Sequence, residues 1–205
     1  MRRAFCFDLD GTLTMEEILP EIAKNAGIHE EIDILTKITM QGLMTFDKSM
    51  KLRVKLLSTI PISSVKEVVG SIKINPDLQS FIKENKENCF IVTGNLDVWV
   101  EDFINKNFGC KFFSSKAISK GDELIGIDQL LQKSSAIKLL RQSFDSIVAV
   151  GDGMNDCSML ELSDIGIAYG GVHPPVPTLI KLSEYVCYDG ATLANLLNAL
   201  KSTKQ

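Results

Sequence analysis

The sequence predicts an α/β fold, a mostly parallel sheet with helices on both faces, carrying an inserted helical cap. Three observations predict it. Short apolar runs alternate with helical periodicity along most of the chain. Two of those runs end in clusters of oxygen-bearing side chains, as the carboxyl ends of parallel strands do where a ligand binds. And about 65 residues separate the first run from the helix that should follow it, where a plain crossover needs only a dozen or more.

The first strand is expected at 4–8, Ala-Phe-Cys-Phe-Asp, an apolar run with polar residues at its end. Further strands are expected at 89–93, 111–114 (the weakest pattern), 146–150, 165–168 and 185–187. Helical spacing separates most of them at 77–87, 96–107, 134–143, 155–162, 175–182 and 191–201. The long gap holds four more helical stretches, at 16–26, 30–40, 46–58 and 63–70, punctuated by Gly27 and Gly42 and restarted by Pro61-Ile62-Ser63. Residues 1–13 with 75–205 are therefore expected to form the α/β core, and residues 14–74 a cap over the strand ends. Helices merely packed on one face would give the same pattern.

The 205 residues are 45% hydrophobic and 23% charged, ordinary for a globular chain, and carry a net charge of −4. The basic residues are dispersed, which argues against a nucleic-acid partner. No apolar run reaches the roughly 20 residues that span a bilayer, and no signal-peptide pattern precedes the first strand. Five scattered cysteines (6, 89, 110, 157 and 187) form no CxxC pair and read as free thiols in a reducing compartment. A cytoplasmic monomer or homodimer acting on a small molecule is the expectation, with no nucleic acid and no membrane.

Asp8 and Asp10 lie two apart on an extended chain, so both face one point past the first strand. Two carboxylates so close repel unless a cation sits between them, and oxygen donors of this kind suit a magnesium-type ion. Gly11 permits the sharp turn that follows. Two solvated aspartates at a strand end would read the same. The second cluster, Gly151-Asp152-Gly153-Met154-Asn155-Asp156, follows the strand at 146–150. Asp152 is best placed for a metal, and Asn155 and Asp156 open the next helix, where capping alone would also favour them. Neighbouring parallel strand ends would bring the two clusters together.

Thr93 ends the second strand before Gly94-Asn95, and a hydroxyl with exposed N–H groups there suits a phosphate oxygen, though Thr before Gly is also an ordinary helix entry. Lys133 opens a helix against the favoured sign of its dipole, which an anionic ligand would explain and a surface lysine would not require. His29 and His173 read as surface residues, with the loop His173-Pro174-Pro175-Val176-Pro177 either rimming a pocket or simply connecting. Trp99, with Leu96, Phe103 and Ile104, reads as core.

Together, Asp8-x-Asp10-Gly-Thr, Thr93-Gly94, Lys133 and Gly151-Asp152-Gly-x-Asn155-Asp156 resemble the four ordered motifs of the haloacid dehalogenase superfamily of aspartate-nucleophile phosphatases. The resemblance implies Asp8 as nucleophile and Asp10 as general acid and base. It implies Thr93, Gly94, Lys133 and Asn155 around the phosphate, and Mg²⁺ on Asp8, the carbonyl of Asp10 and Asp152, with Asp156 supporting from behind. The gap region resembles that of the phosphoserine phosphatase branch in particular, through Glu17 seven positions after Asp10 and Phe46-Asp-Lys-Ser49-Met50-Lys-Leu-Arg53-Val54. That resemblance implies Glu17 and Arg53 on the ammonium and carboxylate of serine, with Met40 and Phe46 as apolar walls. Helix-end acidity, a solvated helix arginine and core packing would account for the same four residues.

The implied activity is hydrolysis of O-phospho-L-serine, a step in making serine. The alternative is another small phosphomonoester, or phosphoryl transfer to an alcohol such as homoserine. Three departures bear on the substrate. Asn95 stands where the branch has a second glycine, either crowding the pocket or taking a φ it tolerates; Leu96 stands for a common Phe; and the hairpin before Lys133 is expected to be trimmed.

Overall fold

The computed structural model describes residues 2–202. Seven strands form one sheet: β1 (Arg3–Phe7), β2 (Cys89–Leu96), β3 (Lys111–Lys120), β4 (Glu123–Gln129), β5 (Ser146–Gly151), β6 (Ile165–Tyr169) and β7 (Tyr185–Cys187), in the order β4-β3-β2-β1-β5-β6-β7. All pairings are parallel except the β3–β4 hairpin. β1 lies at the centre, between β2 and β5.

The central strands are apolar on both faces because helices cover both. Phe5, Phe7, Ile91, Val148 and Val150 point to one side, with Phe81, Trp99 and Leu193 packed against them. Ala4, Cys6, Phe90, Val92, Ile147 and Ala149 point to the other, against Ile137, Leu160 and Leu179. This alternation is the strand period of two. The first face is covered by α5 (Pro76–Glu84), α6 (Asp97–Asn107) and α10 (Gly190–Ser202), and the second by α7 (Lys133–Leu140), α8 (Cys157–Glu161) and α9 (Pro177–Lys181). Asn75 caps α5 by accepting the amides of Asp77 and Leu78 at 3.2 and 3.3 Å, with Pro76 at the first helical position.

Between β1 and α5 stand the four expected helices: α1 (Ile18–Ala26), α2 (His29–Met40), α3 (Phe46–Leu57) and α4 (Ile62–Ser71). Gly27, at φ 69°, ends α1 in the left-handed conformation that an L side chain resists. The segment that carries these four helices begins and ends at one place. Thr14 bridges Ile74, the Met15 amide donates to Lys73 O at 2.9 Å, and the Asn75 amide donates to Leu13 O at 2.9 Å.

Four expectations need correction. β3 runs on past 114 to Lys120 and pairs with β4; the resemblance implied a hairpin before Lys133, but the apolar pattern marked neither the extension nor the second strand, both largely exposed. β2 continues through Thr93, Gly94 and Asn95 to Leu96, with an irregular register against β3, so Thr93 lies inside the strand. The helix expected at 155–162 is a single 3₁₀ turn, Met154–Asp156, followed by α8. Asn95 does not use a positive φ. All five cysteines are free and four are buried. No helix among the described residues is long and apolar enough to cross a membrane.

Candidate active site

The site is built where β1, β2 and β5 end side by side. Phe7 pairs with Val150, so the residues that follow them emerge together, and the Asp8 amide donates to Val150 O at 2.9 Å. Oxygens of Asp8, Asp152 and Asp156 come within 4.8 Å of one another, and all three side chains are buried. Lys133, at the first position of α7 and only 4% exposed, donates from Nζ to Asp8 Oδ1, and to Asp156 Oδ1 at 2.6 Å. It is no surface lysine. The other oxygen of Asp156 accepts the amides of Asp152 and Gly153 at 3.1 and 3.0 Å. Asp156 is thus occupied by protein donors, whereas the Asp152 carboxylate accepts none among the described residues. Gly151 makes this possible: a Cβ there would lie 2.4 Å from Asp156 Cγ.

Asp10 faces the same space. Its Oδ1 accepts the first amide of α1, from Ile18, at 3.0 Å, and its Oδ2 accepts the side-chain amide of Asn95. Gly11, at φ 66°, carries the turn, and a Cβ there would meet Asp152 Oδ2 at 2.7 Å. Thr93 is fully buried, and its Oγ1 accepts both the main-chain and the side-chain nitrogen of Asn95, each at 3.1 Å. Asn155 lies on the 3₁₀ turn at the cavity wall, folded so that a Cβ on Gly153 would meet its Oδ1 at 2.6 Å.

A cavity of about 70 Å³, room for roughly five waters, separates this cluster from α1, α2 and α3. Glu17, Phe46 and Arg53 line it, as expected. Arg53 is buried and donates to Thr39 Oγ1 at 3.1 Å and Leu35 O at 3.4 Å, while its Nε is buried with no partner. Glu17 caps nothing; it stands just before α1 with its carboxylate at the cavity. Phe46 sits on the backbone of Gly94, where a Cβ would fall 2.2 Å from Phe46 Cζ. Met40 ends α2, but its side chain lies outside the described residues. Leu19, Thr36, Thr39, Met50 and Met154 also line the cavity. Sequence reasoning missed them because small polar and apolar residues at helical spacing look like packing. His173 is partly exposed, its side chain 42% accessible as a surface residue's is, with Nε2 3.6 Å from Glu17 Oε1. His29 is half-buried, away from the cavity. Trp99 is core.

Asp8, Asp10, Asp152, Asp156 and Glu17 face Lys133 and Arg53, five acidic side chains against two basic ones, so full ionisation would leave an excess of negative charge. Burial raises the pKa of Asp8 and Asp152 well above the carboxylate range; Asp156 adds to the rise at Asp8, and Asp8 adds to it at Asp152. Burial also raises Asp10, against the Ile18 amide, which lowers it. Glu17 is pushed up to about 8 by burial and by the charge of Asp10. Burial works to lower Lys133, but Asp156 and Asp8 outweigh it and hold it charged above its usual value. Burial lowers Arg53, and Glu17 opposes that. A buried, all-oxygen donor set with one unpartnered carboxylate and excess negative charge fits a hard divalent cation.

The chain belongs to the haloacid dehalogenase-like hydrolases: that family's model matches residues 2–164. Several of its relatives are phosphoserine phosphatases. It is 29% identical to the phosphoserine phosphatase of Methanocaldococcus jannaschii over 98% of each chain. It is 28% identical to that of Archaeoglobus fulgidus over 82% of its own length but 52% of the relative's, so it spans about half of that protein. Among solved structures, it is similar to a substrate-bound phosphoserine phosphatase (TM-score 0.83, 28% identity, 100% of this chain and 99% of that one). It is also similar to a phosphoserine phosphatase held as a phospho-aspartyl intermediate analogue (TM-score 0.81, 29% identity, 99% of each chain).

Proposed function

We propose that the protein hydrolyses O-phospho-L-serine through an aspartyl phosphate on Asp8, with Mg²⁺ as cofactor. The observation that carries the reading is Asp8, held by Lys133, lining one cavity together with Arg53 and Glu17. Asp8 attacks phosphorus, forming an acyl phosphate and splitting one hard displacement into two. Asp10, whose neutral form burial favours, enters this step protonated and gives that proton to the leaving serine alkoxide. Once ionised, it takes a proton from the water that opens the acyl phosphate. Lys133 aims the Asp8 carboxylate and offsets charge on the transferring group, while Thr93 offers its hydroxyl hydrogen to a phosphoryl oxygen. Asp8, Asp152 and the Asp10 carbonyl would hold the magnesium ion, which when bound supplies positive charge against the phosphoryl oxygens.

Arg53 has an unpaired Nε to complete a fork onto the substrate carboxylate. Glu17 takes the ammonium, whose positive charge draws Glu17 into its ionised form. In this reading residues 14–74 are a cap domain that closes on the core, with Phe46 against Gly94 shutting out water. The testing experiment is phosphate release from a panel of phosphomonoesters with Mg²⁺. Phosphoserine is expected to be preferred, with activity abolished in Asp8→Asn. Release that survives Asp8→Asn overturns the mechanism, and a preferred substrate without an α-amino acid group overturns the substrate.

A further inference from the structure

Asn95 is a buried polar side chain that none of the assigned roles uses. It is 4% exposed and lines the cavity. Its side-chain nitrogen carries two hydrogens, and two acceptors stand within reach: Asp10 Oδ2, and Thr93 Oγ1 at 3.1 Å. The amide presents its NH₂ end to both neighbours, so a proton on the Asp10 carboxyl occupies a lone-pair position that Asn95 leaves open. The main-chain amide of Asn95 also donates to Thr93 Oγ1, at 3.1 Å.

Two consequences follow from counting donors and acceptors. A threonine oxygen has two lone pairs and one hydrogen. Both lone pairs of Thr93 accept from Asn95, so its hydrogen is left to be donated, and no described residue receives it. At Asp10, the Ile18 amide fixes one oxygen and Asn95 the other. Each oxygen keeps a second lone-pair position, and the carboxyl cannot rotate without losing a bond. A glycine at 95 would retain the main-chain bond to Thr93 and lose both side-chain bonds.

We infer that Asn95 is a positioning residue that locks the Asp10 carboxyl for proton delivery to the leaving group and turns the Thr93 hydroxyl into a dedicated donor. The inference rests on the proposed hydrolase reading. It concerns geometry: a misplacement of about 1 Å at a proton donor costs on the order of a hundredfold. The effect is selective. An alkoxide leaving group needs a proton as its bond to phosphorus breaks, whereas p-nitrophenolate is stable without one.

The test compares kcat/KM for O-phosphoserine and p-nitrophenyl phosphate in the wild type, Asn95→Gly and Asn95→Asp. This ratio reports steps up to departure of the leaving group, so hydrolysis of the acyl phosphate does not enter it. Both substrates are read on one preparation, so any loss of folded protein cancels. Asn95→Gly is expected to lower the phosphoserine to p-nitrophenyl phosphate ratio at least tenfold. Asn95→Asp, which sets an acceptor against Asp10, is expected to lower it further. An unchanged ratio in both variants overturns the inference while leaving the hydrolase reading intact. A wild type that hydrolyses neither ester, or whose activity survives Asp8→Asn, sinks that reading and this inference with it. If the wild type takes the aryl ester and a different alkyl phosphate, the substrate assignment fails, and the same ratio taken with that alkyl phosphate decides the role of Asn95.

Discussion

Lys133 holds the Asp8 carboxylate and, on its other side, Asp156. Replacing it by methionine keeps the volume and leaves buried carboxylates uncompensated. Lys133→Met is expected to destabilise the metal-free protein by about 3–5 kcal/mol and to lower kcat by at least ~10²-fold. Denaturant melts and steady-state rates check the two figures. Glu17 makes a separate prediction. Its pKa is raised from the usual 4.5 to about 8 in the folded chain. The unfolded chain therefore loses this proton first, and its contribution to stability is full below about 4.5 and is lost as pH rises toward 8. Glu17→Gln is expected to gain on the wild type in melting temperature across that window, read in metal-free buffer; parallel curves would contradict it. Asp8, Asp10, Asp152 and Lys133 were legible in the sequence because together, in order, they resemble a family's motifs, though each alone had an ordinary alternative. Asn95, Thr39 and His173 were not, because their partners (Asp10, Arg53 and Glu17) lie far away along the chain.

Gly151, at the end of β5, and Gly94, within β2, press against different elements. At Gly151 an added Cβ runs into Asp156, which is fully buried and tied to Lys133, so Gly151→Ala is expected to cost about 1–3 kcal/mol of stability. At Gly94 an added Cβ meets the end of the Phe46 ring on α3, which can swing away. Gly94→Ala is expected to raise KM severalfold with little loss of stability, because it pushes the insert off the site without disturbing the sheet. Paired melts and kinetics on the two variants check this, and equal stability losses would contradict it. The four inserted helices were legible to within a residue or two, since Gly27, Gly42 and Pro61 punctuate an unbroken apolar period. The bounds of β4 were not, because Glu123–Gln129 is largely exposed and its register with β3 shifts twice, so its apolar residues show no clean alternation.

Across the whole molecule, the ends of three parallel strands gather more negative charge than Lys133 and Arg53 offset. Burial raises Asp8, Asp10 and Asp152 as it does Glu17, so the folded metal-free chain binds more protons than the unfolded one. Its stability should fall as pH rises from about 5 to about 8. Mg²⁺ should flatten that slope and add about 2.7 kcal/mol at a hundredfold excess over its Kd. Melting curves with Mg²⁺ and with chelator read both effects, and identical curves would remove the cation from the site. The most direct measurement is rapid acid quenching during turnover of phosphoserine with Mg²⁺, followed by mapping of the phosphorylated peptide. Phosphate carried as an acyl phosphate on Asp8 is the predicted result. Phosphate on any other residue, or steady turnover with the protein unlabelled throughout, would contradict it.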